Sequence, residues 1–231
     1  MKTTINYKKP ITLSLSFFLL MMFAVFSCFI SCRSNVNNAT PPAGVMAVNS
    51  AQASTPQDFY IDNTKQNSSA IAYTQSTGYF YVIGGNHQTQ FETSSTTTIS
   101  ASGSFSFAPG AYYSVFYTDA KTANAYQNDR TMPQQADSRV RFINLSTALN
   151  SNVDVTSTVG GKTSGLISAL AYQAASAYME VSSASTFSLS ASGSSTVLLN
   201  IPVVLQAGKI YTIFISGTTS TTITYSLVAE N

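Results

Sequence analysis

The chain repeats itself after about 95 residues. Residues 43–50 have the same pattern as residues 138–146, with apolar side chains at matching places and Asn49 against Asn144. Further along, residues 110–116 match residues 208–214 position by position, and Ser-Ala-Ser-Gly-Ser occurs at both 100–104 and 190–194. Self-similarity over this length predicts two copies of one domain, each of roughly 90–100 residues.

Short runs rich in aromatic and β-branched residues follow one another from Val45 onward, separated by Gly, Asn and Ser. Residues 186–190 and 222–227 alternate between polar and apolar side chains, which is typical of strands with one buried face. Only the segment 163–177 has a composition that could form a helix, and the likeness of its residues 165–172 to residues 70–73 favours a strand there too. We therefore predict an all-β fold of two tandem antiparallel β-sandwiches, immunoglobulin-like or transthyretin-like.

The repeat also predicts how the chain is divided. We expect a signal peptide (1–31), a flexible tether (32–44), a first sandwich (45–129), a linker (130–137) and a second sandwich (138–231). A linker of eight residues would keep the sandwiches adjacent without requiring them to dock rigidly.

The N-terminal segment has the features of a secretory signal. Three lysines precede an apolar run from Ile11 to Ile30, which is also long enough for a transmembrane anchor. Phe29-Ile30-Ser31-Cys32 resembles a bacterial lipobox, with Phe29 where leucine is usual. Cys28 is the rival site, but apolar residues follow it directly. We expect fatty acids such as palmitate on Cys32, and an uncleaved membrane helix is the alternative.

The residues after Cys32 bear on location. They contain no acidic run, and such runs resemble the surface-export signal of some Bacteroidetes lipoproteins. We expect a lipid-anchored protein of the outer membrane, on the periplasmic face rather than on the cell surface.

Charged residues make up only 9% of the chain, against about 25% in an average soluble protein. Without the three leader lysines, eight basic residues face nine acidic ones, which leaves no basic patch for nucleic acid. Arg139 and Arg141 form the one close basic pair, and a strand would put both on one face. We interpret them as solvated charges that protect a sheet edge, with ligand binding as the alternative.

The sequence offers little for catalysis or metal binding. Both cysteines lie in the leader, and His87, the only histidine, lies in a predicted loop. The acidic residues are scattered, and we interpret Asp62 and Asp154 as equivalent acceptors of hydrogen bonds from turns. We therefore expect no catalytic residues, no metal and no cofactor.

Tyrosine is frequent, with 13 residues in the chain. Exposed tyrosines on a sheet can stack on sugar rings or anchor a protein partner, although packing is the commoner role. The candidate binding residues are Tyr79, Tyr81, Tyr112, Arg139 and Arg141.

The second repeat resembles a bacterial family called domain of unknown function 4397. The resemblance rests on residues 139–146, 153–155, 170–172 with Tyr178, and 205–212, and it extends from Ser138 to about Val228. The first repeat resembles a degenerate copy without the arginines, and Thr147 stands where the family usually has proline. The resemblance implies secreted or envelope-attached β-proteins, often in tandem copies, and it supplies no catalytic motif.

These observations favour a non-catalytic cell-envelope lipoprotein that binds or scaffolds a protein or glycan partner. The alternative is a structural subunit, similar to the pilins of Bacteroidetes, that polymerises by strand addition at an open sheet edge. An enzyme that uses His87 or paired carboxylates is the least supported class.

Overall fold

The computed structural model describes residues 1–4, 40–149 and 151–231. The predicted signal peptide beyond residue 4, the lipidation site Cys32, its rival Cys28 and the tether up to residue 39 lie outside these residues. Every regular element in the described ranges is a β-strand, and they contain no helix long and apolar enough to cross a membrane.

The first half of the described chain forms eight strands. They are β1 (Ala43–Asn49), β2 (Gln57–Ile61), β3 (Thr64–Lys65), β4 (Phe80–Val82), β5 (Gly85–Thr93), β6 (Ile99–Phe107), β7 (Tyr112–Tyr117) and β8 (Ala123–Asn128). The second half forms eight more: β9 (Asp137–Asn144), β10 (Val153–Val159), β11 (Lys162–Leu170), β12 (Met179–Ser182), β13 (Thr186–Ala191), β14 (Val197–Ile201), β15 (Ile210–Ser216) and β16 (Thr224–Ala229).

Each half arranges its strands into two four-stranded sheets. The first half has an inner sheet with the order β4-β1-β7-β8 and an outer sheet with the order β3-β2-β5-β6. The second half has an inner sheet with the order β12-β9-β15-β16 and an outer sheet with the order β11-β10-β13-β14. Each strand of the first half thus has the same place as the strand eight numbers later. The prediction of an all-β fold with two sandwiches is confirmed.

The inner sheets differ from the prediction in one strand pair each. Strand β1 runs parallel to β7, and β9 runs parallel to β15, so these sheets are mixed rather than wholly antiparallel. Long stretches of chain separate the two strands of each pair. A tight hairpin, which would force antiparallel pairing, therefore does not connect them.

The strand register identifies which residues of the two halves are equivalent. Asn49 pairs with Tyr117 as Asn144 pairs with Ile215, which supports the matched asparagines of the sequence repeat. The identical Ser-Ala-Ser-Gly-Ser segments are not equivalent. The first lies within β6, whereas the second covers the end of β13 and the following turn.

Each sandwich has its own apolar core between its inner and outer sheets. In the first, Val45, Phe59 and Phe91 are completely buried. In the second, Phe142, Val155 and Leu189 are completely buried as well. These side chains come from alternate positions of their strands, as expected where one face of a strand faces a core.

A third apolar cluster joins the two sandwiches. It takes Met46, Val48 and Phe116 from the first inner sheet and Ile143 and Phe214 from the second, among others. The rings of Phe116 and Phe214 meet edge to face, with 5.5 Å between their centroids. The inner sheets are therefore covered on both faces. This explains why all residues of β1 and β15 are buried.

Candidate functional site

A buried cation lies at the contact between the inner sheets. Arg141 of β9 is 2% exposed, and its guanidinium has partners from both halves. Nε donates to Thr212 Oγ1 at 2.7 Å, and Nη2 reaches Glu230 Oε1 at 3.3 Å in the second half. Nη1 donates to the carbonyl of Gln127 at 2.7 Å, and Nη2 to Asn128 Oδ1 at 2.5 Å, in the first half. This side chain therefore ties strand β8 to the second sandwich.

Glu230 is the anion that accompanies this cation. Its carboxylate is fully enclosed by the protein and accepts hydrogen bonds from Thr212 Oγ1 and, at 2.6 Å, from the hydroxyl of Tyr178. Burial and the nearby negative charge of Glu230 outweigh the opposing charge of Arg141 and raise the pKa of Tyr178. Tyr178 therefore stays protonated and remains a hydrogen-bond donor at neutral pH.

The first half has a neutral version of the same arrangement. Asn128 donates from Nδ2 to Tyr79 Oη at 2.7 Å and to Ser114 Oγ at 2.8 Å. Burial, together with the charge of Glu230, raises the pKa of Tyr79 to about 12. The hydrogen-bonded hydroxyl of Tyr79 therefore also remains protonated at neutral pH.

Arg139 lies beside Arg141 on the same face of β9. Its guanidinium is 5.5 Å from the centroid of the Tyr178 ring, and that of Arg141 is 4.8 Å from the same ring. Arg139 Nη2 also pairs with Asp129 Oδ2 at 2.6 Å. The hydrogen bonds from Arg139 and Thr131 hold the pKa of Asp129 well below its usual range. In the structure the linker between β8 and β9 begins at Asp129, and this ion pair fastens that first residue to β9.

Arg130, the next residue of the linker, stacks on tyrosine rings of the first half. Its guanidinium carbon lies 4.4 Å from the centroid of Tyr112 and 5.3 Å from that of Tyr79. The two rings contact each other edge to face at 5.1 Å. Arg130 Nε is buried and has no hydrogen-bond partner. Among the described residues, Arg130 forms no ion pair, unlike Arg139 and Arg141.

These groups line an open cleft of about 1130 Å³ between the two sandwiches. One wall consists of the turn before β7 and strand β8, and the other is the segment that leads into β12. The charged lining residues are Arg130, Arg139, Arg141 and Asp129. Small alanine side chains from both halves form much of the remaining surface. The cleft is large enough for a small ligand, and it presents cations, hydroxyls and apolar surface together.

The structure brings four of the five predicted binding residues together. Tyr112, Arg139 and Arg141 line the cleft, and Tyr79 packs behind Tyr112. Tyr81 is 62% exposed and does not line the cleft. The interpretation of the arginine pair as solvated protection for a sheet edge is wrong, because β9 is a central strand and Arg141 is buried.

The two aspartates singled out in the sequence occupy different places in their halves. Asp154 lies in β10 and accepts hydrogen bonds from the backbone N–H groups of Ala169 and Gly193. Those bonds lower its pKa. The register makes Asp58 its equivalent, since the preceding Gln57 pairs with Ile71 as Val153 pairs with Leu170, and the same Ala-Tyr follows Ile71 and Leu170. The prediction that Asp62 is equivalent to Asp154 is therefore wrong.

Asp62 instead belongs to the hairpin turn between β2 and β3. Asp62 and Asn63 have φ values of 48° and 63°, and Gly160 and Gly161 occupy the corresponding turn with 57° and 77°. Two successive residues with positive φ are what a two-residue hairpin loop of this twist requires. Asp62 and Asn63 tolerate this backbone better than most residues other than glycine.

His87 lies within strand β5 rather than in the predicted loop. Nδ1 is 2.7 Å from Asp62 Oδ2, and Nε2 is 2.7 Å from the carbonyl oxygen of Ile83. Burial acts to lower the pKa of His87, but these two hydrogen bonds outweigh burial and raise it. With both ring nitrogens occupied in this way, His87 has no serine partner of the kind that a hydrolase triad needs. Within the described ranges, no three His, Cys, Asp or Glu side chains are close enough to hold a metal ion.

Sequence reasoning missed several residues of this site, notably Arg130, Asn128 and Glu230. One available signal was the lack of alternation in residues 43–49 and 210–215, since apolar side chains at consecutive positions indicate a strand buried on both faces. That signal predicts a sheet covered on both sides, but it does not reveal which polar residues lie in the contact.

One solved structure similar to this chain is that of CBMbc (family CBM26) from Eubacterium rectale Amy13K, in complex with maltoheptaose. The two share 10% identity with a TM-score of 0.30, over 81% of this chain and 97% of the other. No curated protein matches the chain.

A family model described as Domain of unknown function (DUF4397) matches residues 43–156. The match covers the first sandwich and continues into β10 of the second. It is thus centred on the half in which the resemblance was expected to be weaker, and a second family copy over 138–228 stays a prediction. Residues 43–156 therefore belong to the DUF4397 family.

Proposed function

We propose that the protein is a non-catalytic lipoprotein of the bacterial cell envelope that binds a glycan in the cleft between its two sandwiches. A protein partner is the other occupant that the sequence leaves open. The observation that carries the proposal is the cleft of about 1130 Å³ that the docking of two sandwiches creates. Neither sandwich alone has both walls of this cleft, so the proposed site requires the tandem arrangement.

The chemistry of the cleft supports a glycan better than a protein. Saccharides have apolar C–H faces and hydroxyl edges, so they fit a surface that alternates small apolar side chains with hydrogen-bonding groups. Ala125, Ala175 and Ala177 supply apolar surface, while the lining residue Tyr112 adds a hydroxyl. A specific protein interface would instead need a dry, well-packed centre with large apolar anchors.

The strand order gives no support to the alternative of a pilin-like subunit. Polymerisation by strand addition leaves an incomplete sandwich that a donor strand fills. Here each described sandwich has eight strands in the same order, and β1 and β9 are paired on both sides. Neither half therefore lacks a strand that the other half has.

Glycan binding is tested by isothermal titration of the purified protein with oligosaccharides of defined composition. We expect a micromolar to millimolar dissociation constant for at least one class, with the oligosaccharide recovered uncleaved. An Ala177→Trp substitution, which fills the cleft, should abolish binding, whereas Ala184→Trp in the turn between β12 and β13 should not. Equal binding by both variants would contradict the placement of the site, and cleavage of the oligosaccharide would contradict a non-catalytic role.

The lipid anchor and its location need a separate experiment in the native cells. Metabolic labelling with an alkyne analogue of palmitate should label the wild-type protein. Labelling should be lost in Cys32→Ala and retained in Cys28→Ala. External protease should leave the protein intact on whole cells and digest it after the outer membrane is opened. Label that persists in Cys32→Ala would overturn the proposed anchor.

A further inference from the structure

The cleft contains one cation whose charge is not balanced within the protein. Asp129 neutralises Arg139 at 2.6 Å, and the buried Glu230 accompanies Arg141. Arg130 has no carboxylate partner among the described residues and lines the cleft directly. With these two carboxylates set against three arginines, the cleft carries an excess of one positive charge.

The guanidinium of Arg130 is held in a defined orientation. Its central carbon lies over the ring of Tyr112, 4.4 Å from the centroid, and over that of Tyr79 at 5.3 Å. Stacking against aromatic faces leaves the in-plane N–H groups of a guanidinium for other partners. Its Nε is buried, whereas neither Nη is among the buried unpaired atoms and neither has a hydrogen-bond partner among the described residues, so both Nη groups keep some exposure to solvent. Such a planar fork matches the two oxygens of a carboxylate.

We propose that the ligand of the cleft is an acidic saccharide, with the Nη groups of Arg130 binding the carboxylate of a uronic acid. This inference rests on the proposed function, since it specifies the class of glycan. One excess positive charge is balanced by one carboxylate. A phosphate monoester carries about −1.5 to −2 at neutral pH, and a polysulfated chain carries still more, so both would leave uncompensated negative charge.

The place of Arg130 in the linker allows both sandwiches to fix its position. Arg130 follows Asp129, whose ion pair with Arg139 fixes the linker against the second sandwich. The tyrosines beneath Arg130 belong to the first sandwich. The anion-binding group is therefore held from both sides, and its position depends on the docking of the two halves.

The experiment compares the binding of three probes to the purified protein by isothermal titration at constant ionic strength. The probes are a galacto-oligosaccharide that ends in a single galacturonate residue (the acidic chain), a neutral galacto-oligosaccharide of the same length, and a galacto-oligosaccharide with several sulfate groups. The wild-type protein should bind the acidic chain about 10-fold to 100-fold more tightly than the neutral chain, as expected for one charge-assisted hydrogen-bonded pair. The sulfated chain should bind more weakly than the acidic chain.

Substitutions of Arg130 test whether this residue causes the preference for the acidic chain. Arg130→Gln should lose the preference, so that its dissociation constants for the acidic and the neutral chain become equal. Arg130→Lys keeps the charge without the planar fork and should retain a smaller preference. Lys162→Gln removes a positive charge from an exposed position of β11 outside the cleft and serves as the matched control.

The outcomes separate this inference from the proposed function. Equal binding of acidic and neutral chains by the wild-type protein would overturn the inference and leave glycan binding intact, whereas no binding of any glycan would overturn both. If Arg130→Gln does not fold, the NMR signals of the Arg130 guanidinium in the wild-type protein decide. They should shift on addition of the acidic chain and not of the neutral chain, and an absence of any shift would contradict the proposal.

Discussion

The two halves of the protein have the same strand order but different chemistry at equivalent positions of their inner sheets. The register places Met46 of β1 opposite Ser114, and Arg141 of β9 opposite Thr212. Asn128 of β8 and Glu230 are equivalent in the same way. Asn128 lies opposite Tyr112 of β7, and Glu230, just after β16, lies opposite Ile210 of β15. Where the first half has a thioether and an amide, the second therefore has a guanidinium and a carboxylate.

The second half therefore supplies the buried charged side chain that joins the two halves. Met46 contributes only to the apolar cluster between the inner sheets. Arg141 instead extends past its own sheet to the carbonyl of Gln127 and the amide of Asn128 in the first half. The two halves thus keep the same strand order, although the position of Met46 serves apolar packing and the equivalent position of Arg141 provides a buried polar clamp between the halves.

A second pair of equivalent positions differs for steric reasons. Gly44 pairs with Tyr112, and a Cβ atom added at Gly44 would lie 2.5 Å from the ring of that tyrosine. The equivalent Arg139 has room for its side chain and reaches Asp129 of the linker. The first half therefore needs glycine where the second half has a cation, because the Tyr112 ring packs beneath Arg130.

The largest effect is expected when the second half is made to resemble the first. Arg141→Met removes the cation and leaves Glu230 buried without its partner, which should lower the free energy of unfolding by about 3–5 kcal/mol. Adding Glu230→Asn reproduces the pair of the first half and should recover most of that loss. Urea denaturation measures both variants. A loss below about 1 kcal/mol for Arg141→Met would contradict a clamping role.

The next effect concerns Asp119, a carboxylate that bridges the halves. It accepts from the backbone N–H of Gln52 at 2.6 Å and from that of Gly217 at 2.9 Å. Asp119→Ala leaves two partly buried donors unpaired and should cost about 1–3 kcal/mol of stability in urea denaturation. Lys121→Ala, an exposed substitution in the same turn, should change stability little. Equal effects of the two would show that the bridge contributes nothing.

A smaller effect is expected at a tyrosine whose equivalent lacks the same contact. The hydroxyl of Tyr73 is 2.8 Å from Ser216 Oγ in the other half, whereas its counterpart Tyr172 is more exposed. Tyr73→Phe should cost about 0.5–1.5 kcal/mol, as a single neutral hydrogen bond contributes. Tyr172→Phe should be close to neutral. Thermal denaturation of the two variants under the same conditions gives the comparison directly.

The smallest effect is the pH dependence of the linker ion pair. The hydrogen bonds from Arg139 and Thr131 lower the pKa of Asp129 below the ordinary 3.8, so its contribution is fully present above that value. It is lost as the pH falls from about 4 towards 2, because the unfolded chain binds the proton first. Asp129→Asn should therefore lose less stability over this range than the wild-type protein. An identical slope for Asp129→Asn and the wild-type protein would refute the assignment.

The sequence predicts the sandwiches well and their contact poorly. The alternation in residues 186–190 and the match between Asn49 and Asn144 can both be read directly from the sequence. Both agree with the strands that form. The contact between the sheets depends on side chains far apart in the sequence, such as Arg141 and Gln127 with Glu230. No local period relates such residues. The same reason explains the error at Asp62, since only the strand register distinguishes it from Asp58.

The central claim is that the two sandwiches form one cooperative unit held together by the apolar cluster and the Arg141 clamp. Differential scanning calorimetry of the purified protein, with hydrogen exchange read by mass spectrometry, tests it most directly. The account predicts one transition, with equal calorimetric and van't Hoff enthalpies and the same opening free energy for β1 and β9. Two transitions, or exchange of β9 while β1 stays protected, would contradict it.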